Sequence, residues 1–547
     1  MKNIIVLMIA GSLLLIGACN KNEFLDLYPK DSPNPGNFFV DEQSARIAVN
    51  ACYEPWTRIL YMFNRDFNFT IDGMTDDNYI RLSKARNIAM ANWSFGPSDD
   101  IILYWWRDPH RCINAANFAI DNIPSSSNLN FTAEKQAPYI AEAKWFRAYT
   151  YLFLTTLYGD IPLYLNAASD FSEYYKPRTP QAEIYAQVIQ DFKDAKQDLP
   201  LEQTNAKGAP TKATAAAFLA KAYLFTEQWI EAEAAARDAI QIAESSGYYM
   251  LDDYLSIWTE ERNPELLFYW GFANNTENYS SQNAVYRNCR DMPATLKVAI
   301  IGDGWGCALP NRNLFDEFEP DDPRREYTLY YPGSDYEIYP GPNDFSYTHE
   351  TYNEAGEKIT WDTVYKAGDM VKYDYRWSPT GLNVRKMTQS VKGLARVEWS
   401  GMDVPIMRMA ELYLILAEAL AEQGKSEALT WVNKVRSRTS VDLPGRTTGD
   451  GRKGDADLIS IVRHERRVEL ATESLRLLDL VRWGILTEVF GDGTKVKKHY
   501  FSDFLSESSS DKYDSPIGDL SRNPIFPTPQ AEIDRNTQIN TQIGDWQ

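Results

Sequence analysis

Apolar residues recur at three- and four-residue spacing through most of the chain, and the strongest stretches come in pairs separated by short polar turns. The clearest runs from Thr211 to Ser245, TKATAAAFLAKAYLFTEQWIEAEAAARDAIQIAES. This spacing puts the apolar side chains on one face of a helix. Ala216, Ala220, Ala232, Ala236 and Ala239 are small enough for two helices to approach closely, and Phe218, Leu219, Tyr223, Leu224 and Ile240 fill the groove between them. A comparable pair is predicted from Val404 to Arg438, where Ala410, Leu414, Ala417 and Ala421 are followed, after Gln423-Gly424, by Ala428, Val432 and Val435. Further helices are predicted over Ala45–Met62, Tyr104–Ile123, Tyr139–Tyr158, Gln181–Asp198 and Asp457–Val489. Gly159-Asp160-Ile161-Pro162 and Leu199-Pro200 supply the helix stops. The expected fold class is all-α dominated.

Ala220, Tyr223, Ala232 and Ala239 sit at offsets that resemble a degenerate tetratricopeptide repeat, so the helical pairs are expected to form a scaffold. Residues 263–401 read differently. Gly, Pro, Asn and Tyr dominate there, helical periodicity fades, and aromatic residues cluster, among them Trp270, Tyr279, Trp305, Tyr330, Trp361, Tyr373 and Trp399. Long irregular insertions on a rigid scaffold are where binding usually resides. Asp492 to Arg522 forms a second polar, loop-like stretch. At the N-terminus, Lys2 precedes an apolar run from Ile4 to Ala18, too short to cross a bilayer but suited to a secretory signal. Leu15-Ile16-Gly17-Ala18-Cys19 resembles a bacterial lipobox, in which Cys19 is acylated and becomes the new N-terminus. The organisation expected is a signal peptide over 1–18, an N-terminal helical region over 19–262, and a C-terminal region over 263–547 that includes the loop-rich insertion.

The composition narrows the function classes. The chain has 547 residues and a formal net charge of −20 at pH 7, which argues against a nucleic-acid partner, because such binding rests on Lys and Arg neutralising phosphates. With 44% hydrophobic residues it can bury a large core, and the 13% aromatic content exceeds what helix packing obviously needs. After Cys19 the cysteines are Cys52, Cys112, Cys289 and Cys307, with no C-x-x-C spacing, which argues against zinc ribbons and thioredoxin-like centres. Cys289 with Cys307 is the pair expected to be close enough for a disulfide in an exported protein; buried free thiols are the alternative. Catalytic signatures are missing from the sequence. His464-Glu465 begins like a zincin motif, but Val468 stands where the second histidine belongs. No nucleophile elbow or Walker A loop occurs, and paired acids such as Asp76-Asp77 and Asp252-Asp253 carry little information in so acidic a chain. A non-enzyme without cofactor or metal is expected.

Several landmarks in order resemble the SusD/RagB family of Bacteroidota outer-membrane nutrient-binding lipoproteins. After the lipobox comes Phe24-Leu25-Asp26-Leu27-Tyr28-Pro29, then Thr75-Asp76-Asp77, then Trp106 leading into Arg111-Cys112-Ile113-Asn114-Ala115-Ala116-Asn117. Ala141-Glu142-Ala143-Lys144-Trp145-Phe146-Arg147-Ala148-Tyr149, continuing to Leu157-Tyr158-Gly159-Asp160-Ile161-Pro162-Leu163, is similar to the family's most recognisable N-terminal block. Pro177-Arg178-Thr179 and Asp321-Asp322-Pro323-Arg324-Arg325 follow. The C-terminal half supplies Pro405-Ile406-Met407-Arg408-Met409-Ala410-Glu411, Val432-Asn433-Lys434-Val435-Arg436, Glu465-Arg466-Arg467-Val468-Glu469-Leu470 and Arg476-Leu477-Leu478-Asp479-Leu480-Val481-Arg482-Trp483-Gly484.

The resemblance implies tetratricopeptide-like units supporting a loop-rich second half. It also implies a non-catalytic role: holding a glycan or other nutrient at the cell surface and passing it to a SusC-like TonB-dependent transporter, with Cys19 as the lipid anchor in the outer membrane. In that family, ligand residues come from loops near the first Asp cluster and from the irregular insertion. The positions that fall there are Asp76, Asp77, Asn78, Tyr79 and Trp93, and then Tyr279, Arg290 and Trp305. Trp93 and Trp305 are the expected stacking platforms, because the turn Phe95-Gly96-Pro97 would expose the first and Gly304 and Gly306 flank the second. Arg466, Arg467, Glu469, Arg476, Asp479 and Arg482 recur at helical spacing and are expected to form architectural ion-pair ladders. A peptide ligand, a protein-interaction scaffold and a surface glycosidase remain as alternatives.

Overall fold

The periodic stretches are helices in the computed structural model, which describes residues 38–39, 41–61, 67–80, 85–126, 128, 130–168, 170–203, 208–271, 308–337, 345–352, 357–365, 370–373, 380–386, 403–490 and 518–547. In chain order the principal helices are α1 (Glu42–Asn50), α2 (Tyr53–Tyr61), α3 (Asp100–Asn122), α4 (Ala133–Tyr158), α5 (Gln181–Asp198), α6 (Lys212–Phe225) and α7 (Trp229–Ser245). Beyond the insertion come α8 (Met409–Glu422), α9 (Ala428–Arg436), α10 (Leu458–Glu469) and α11 (Arg476–Arg482). From α3 to α8 each helix packs on the next, and α8 packs on α9 and α10. The stack therefore runs on from α7 to α8 although some 160 residues separate them in sequence.

Local chemistry sets the helix limits. Thr211 and Thr214 cap each other at the start of α6, each hydroxyl accepting from the other's backbone N–H at 3.3 and 3.0 Å. Nearly every side chain of α6 is buried, its alanines included, because α5 and α7 cover it from both sides. Gly424 adopts a φ of +69° in the turn from α8 to α9, a conformation that costs a glycine little.

Three predicted elements differ from the structure. Ala45–Met62 is two helices, α1 and α2, broken at Ala51-Cys52. Val404–Arg408, read as helix, is a strand, because it pairs antiparallel with Leu266–Trp270 and so satisfies its backbone across the neck of the insertion. Asp457–Val489 is interrupted after α10, where Thr472 and Ser474 take φ of +64° and +65°, and again at Gly484. The first break turns the carbonyls of Glu469 and Ala471 towards Lys386 Nζ, 2.9 Å from each.

Among the strands are β1 (Asn78–Ile80), β2 (Leu266–Trp270), β3 (Ala308–Pro310), β4 (Phe345–Tyr352), β5 (Lys358–Tyr365) and β6 (Val404–Arg408). Within the insertion β4 and β5 form a hairpin in continuous register from Phe345↔Tyr365 to Tyr352↔Lys358. The stretch is thus partly sheet rather than wholly irregular. Several of its aromatic residues are core. Trp270, Tyr330 and Tyr373 are buried, and the last two stack with ring centroids 6.0 Å apart. Trp270 joins a cluster in which Trp145 lies parallel to Tyr149 at 5.2 Å and meets Phe268 at 4.5 Å. Cys52 and Cys112 are buried free thiols. Cys289 and Cys307, the pair expected to bridge, lie outside the described residues.

Candidate functional site

The segment Asp76-Asp77-Asn78-Tyr79 follows a short helix, Phe67–Gly73, and enters β1, which pairs antiparallel with β3 (Asn78↔Pro310, Tyr79↔Leu309, Ile80↔Ala308). Asn311 reinforces the junction. Its backbone N–H donates to the Asp77 carbonyl at 2.9 Å and its side chain to the Asp76 carbonyl at 2.8 Å. The segment around Asp76 is thereby joined to β3, which lies within the 263–401 insertion.

The aspartates themselves face inward. Asp76 accepts from Arg476 Nε and Nη2, one edge of the guanidinium, at 3.0 Å each, and Arg467 lies 3.0 Å from its second oxygen. Asp77 is bonded by Arg467 Nε at 3.0 Å, and the same arginine reaches Glu317 at 3.1 Å. Burial pushes the Asp76 carboxyl up, but Arg467 and Arg476 outweigh it and hold the group below the usual carboxylate range. Glu317 is held at about 2 in the same way, by His464, 2.8 Å away, and by Arg467 against the effect of burial. Asp76 and Asp77 are 5% and 2% exposed, so these carboxylates anchor the strand pair and are not free acceptors for a sugar. Asn78 and Tyr79 are buried as well, Tyr79 against Leu309.

Trp93 also departs from the expectation. The residue takes a φ of +58° and its ring is turned in, 3% exposed, beside Phe95. The C-terminal segment covers the turn that was expected to expose it. Gly518 donates to the Asn92 carbonyl at 2.9 Å and passes so close that a Cβ there would stand 1.8 Å from the Trp93 carbonyl oxygen, while Phe526 and Trp546 pack on Phe95. Long-range closure by the last 30 residues left no trace in the local turn chemistry. Tyr279, Arg290, Trp305 and Cys19, the residue expected to carry the lipid, lie outside the described residues.

The motif arginines of α10 and α11 form ion pairs, Arg482 with Asp479 inside α11 and the others across the fold, and further buried arginines join them. Arg324 bonds Asp322, Glu465 and Glu469; Arg408 bonds Glu265, Glu469 and Glu473; Arg436 bonds Glu319 and Glu465. Arg482 and Arg466 share Asp479 and Glu418. An open cavity of about 350 Å³ lies beside α3, lined by Trp106, His110, Tyr164 and Tyr174 among others, none of which the sequence marked as a ligand residue. The signal available was the i, i+4 spacing of Trp106 and His110, which puts both rings on one helix face.

Comparison with known proteins gives this architecture a family. Residues 264–546 match the model described as "SusD family", and residues 23–224 match one described as "Starch-binding associating with outer membrane". The chain belongs to the SusD family. It is 27% identical to SusD-like protein P2 of Formosa agariphila over 98% of this chain and 99% of that protein. A SusD-like protein of Bacteroides ovatus is 22% identical, with 87% and 82% covered. Among solved family structures, a SusD-like carbohydrate binding protein from Bacteroides fragilis superposes with a TM-score of 0.70 at 22% identity, covering 92% of this chain and 99% of that one. Surface glycan-binding protein A from Bacteroides thetaiotaomicron, in complex with laminarihexaose, superposes with a TM-score of 0.67 at 18% identity over the same shares.

Proposed function

We propose that the protein is a lipid-anchored glycan receptor of the outer membrane, without catalytic activity, that hands its ligand to a SusC-like TonB-dependent transporter. The observation that carries this reading is membership of the SusD family along nearly the whole chain, together with a fold shared with a protein solved in complex with laminarihexaose. Sugars present flat C–H faces and hydroxyl edges, which aromatic platforms beside polar side chains match. Trp305, Tyr279 and Arg290 are the proposed contacts, on the strength of the family resemblance. Cys19 is the proposed site of acylation, which needs more than one acyl chain for stable anchoring.

A glycan array probed with the mature protein tests the reading. Binding to at least one polysaccharide is expected, and Trp305→Ala should weaken it about tenfold or more, equivalent to roughly 1.4 kcal/mol. Silence across the array, combined with tight association to an outer-membrane barrel, would replace the receptor reading with the protein-interaction scaffold.

A further inference from the structure

The cavity beside α3 shares no lining residue with the β1–β3 junction, and its walls are held by a buried polar network. One wall is the chain that crosses from α4 to α5. Asn117 of α3 donates to the carbonyls of Tyr164 and Asn166 at 2.9 and 3.2 Å. Arg147 of α4 donates to Asn117 Oδ1 at 2.8 Å and to the Leu165 carbonyl at 2.9 Å, while Asp191 of α5 takes its other edge in two bonds of 2.8 Å. The Tyr151 hydroxyl accepts from the Tyr164 N–H at 2.6 Å. Three helices thus fix residues 164–166, and a wall fixed before binding loses little entropy when a ligand arrives.

Facing that wall is a histidine with half of its hydrogen bonding complete. His110 Nδ1 lies 2.7 Å from the carbonyl oxygen of Trp106. A carbonyl only accepts, so Nδ1 carries the proton and Nε2 of the neutral ring holds the lone pair. Burial pushes the imidazole below its ordinary pKa and keeps it neutral. Nε2 is itself buried and meets no hydrogen-bond partner among the described residues. A buried acceptor of this kind calls for a donor. The ring is sandwiched by aromatic groups, Trp106 with centroids 4.8 Å away and Tyr164 edge-on at 6.2 Å, and Tyr174 stands half exposed at the rim.

The charged groups around the mouth balance in sign. Arg107 and Arg111 share the fully buried Asp108 at 3.2 and 3.3 Å, and Glu532, from the C-terminal helix Gln530–Arg535, lines the opposite side. Donors and acceptors side by side suit vicinal hydroxyls, each of which donates and accepts. We propose that this cavity is a second saccharide subsite, taking one or two neutral sugar residues stacked on Tyr164 and Tyr174 with a hydroxyl donating to His110 Nε2. The choice of ligand class rests on the glycan reading above; the existence of a site rests on the orphaned nitrogen and the fixed wall. The volume is at the small end of ordinary ligand pockets, which fits a short piece of a chain held elsewhere.

Calorimetry with laminarihexaose, cellohexaose, maltohexaose, xylohexaose and mannohexaose, on the mature protein, tests the subsite. We expect one of these to bind at two sites and Trp305→Ala to weaken one of them about tenfold or more while leaving the other unchanged. In that background His110→Phe, which keeps a ring against Trp106 and Tyr164 and deletes the acceptor, should weaken the other site about tenfold, as should Tyr174→Ala at the exposed rim. Unchanged melting temperature separates this from misfolding. If a hexasaccharide binds and neither His110→Phe nor Tyr174→Ala changes its affinity or stoichiometry, the subsite is overturned and the glycan reading stands. Absence of binding by all five overturns the subsite, and the array then decides whether the glycan reading falls with it.

Discussion

From α3 to α7 neighbouring helices meet mainly through alanines and aromatic rings, with Arg147–Asp191 as a buried charged pair between α4 and α5, whereas beyond Asn263 comparable burial is reached around many arginines and carboxylates. In the first region Ala143, Ala148, Ala216, Ala220, Ala232 and Ala236 let backbones approach, and the rings of Trp145, Phe146 and Phe218 fill what remains. In the second, Arg324, Arg408, Arg436, Arg438, Arg446 and Arg466 are among the largest fully buried side chains. The contacts also differ in reach. Apolar packing joins helices that follow one another, while the ion network joins Asp76 to Arg476, Glu265 to Arg438 and Glu319 to Arg436. Irregular connections have no periodic apolar face by which to dock. Directional bonds to a buried carboxylate can hold them in one arrangement, although a buried ion pair adds little net stability over well-packed apolar groups. The network therefore acts as a clamp on the segments that leave and re-enter the stack.

Glu469 is where the clamp is most exposed to attack. Its carboxylate meets Arg324, Arg408 and Arg438 at 3.0, 2.7 and 3.4 Å, and its carbonyl accepts from Lys386, Arg408 and Tyr254. Burial pushes the carboxyl up, but Arg408, Arg438 and Arg324 hold it far below its ordinary value. Glu469→Gln keeps the shape and removes the charge, leaving buried guanidiniums in excess. A loss of about 3–5 kcal/mol in urea unfolding is expected. A loss under about 1 kcal/mol would mean that the two regions are held alike.

Acid gives the next largest effect and separates the regions without mutation. Burial pushes Glu317 up, yet His464 and Arg467 hold it at about 2, below the usual 4.5, and Glu473 and Asp479 are lowered by their own arginines against the same effect of burial. Since each folded value lies below the unfolded one, the stability these groups contribute is fully present above about pH 4.5 and is lost as pH falls towards 2. For Glu317 alone this amounts to about 3 kcal/mol. His464 is raised and stays protonated in both states throughout that window, so it does not offset the loss. Pulsed hydrogen exchange from pH 5 to pH 3 should show α10 and α11 losing protection before α6 and α7. Simultaneous loss would show that the clamp and the stack open as one unit.

The same contrast explains what was legible in the sequence. Helices α5, α6 and α7 were readable almost to the residue, because their apolar spacing and stop signals are local. The arginines of α10 and α11 were recognisable as architectural, but their partners were not, since Asp76 and Arg467 stand 391 positions apart. Asp76 and Asp77 consequently read as ligand groups. Trp93 misled for a related reason: Phe95-Gly96-Pro97 describes a turn correctly, and says nothing of the C-terminal segment that closes over it. Of the candidate subsite, Trp106, His110, Arg107, Arg111 and Asn117 shared one predicted helix; Tyr164 and Glu532 reach the cavity through tertiary packing.

The smallest effect tests whether burial, rather than the chemistry of ion pairs, makes the difference. The stack has charged pairs of its own between helices: Lys144–Asp194 joins α4 to α5, Lys196–Asp238 joins α5 to α7, and Lys434–Glu244 joins α9 to α7, at 2.6, 2.8 and 2.9 Å. These distances match those in the clamp. The Lys196 and Asp238 side chains, however, are 32% and 44% exposed, so water already solvates the charges and holding two long side chains together costs rotamer entropy. Lys196→Ala should change unfolding free energy by no more than about 0.5 kcal/mol, and salt at several hundred millimolar should erase even that. A loss of several kcal/mol would show that the stack depends on charge as the clamp does, and the division between the two halves of the chain would have to be redrawn around ion pairing rather than around what surrounds it.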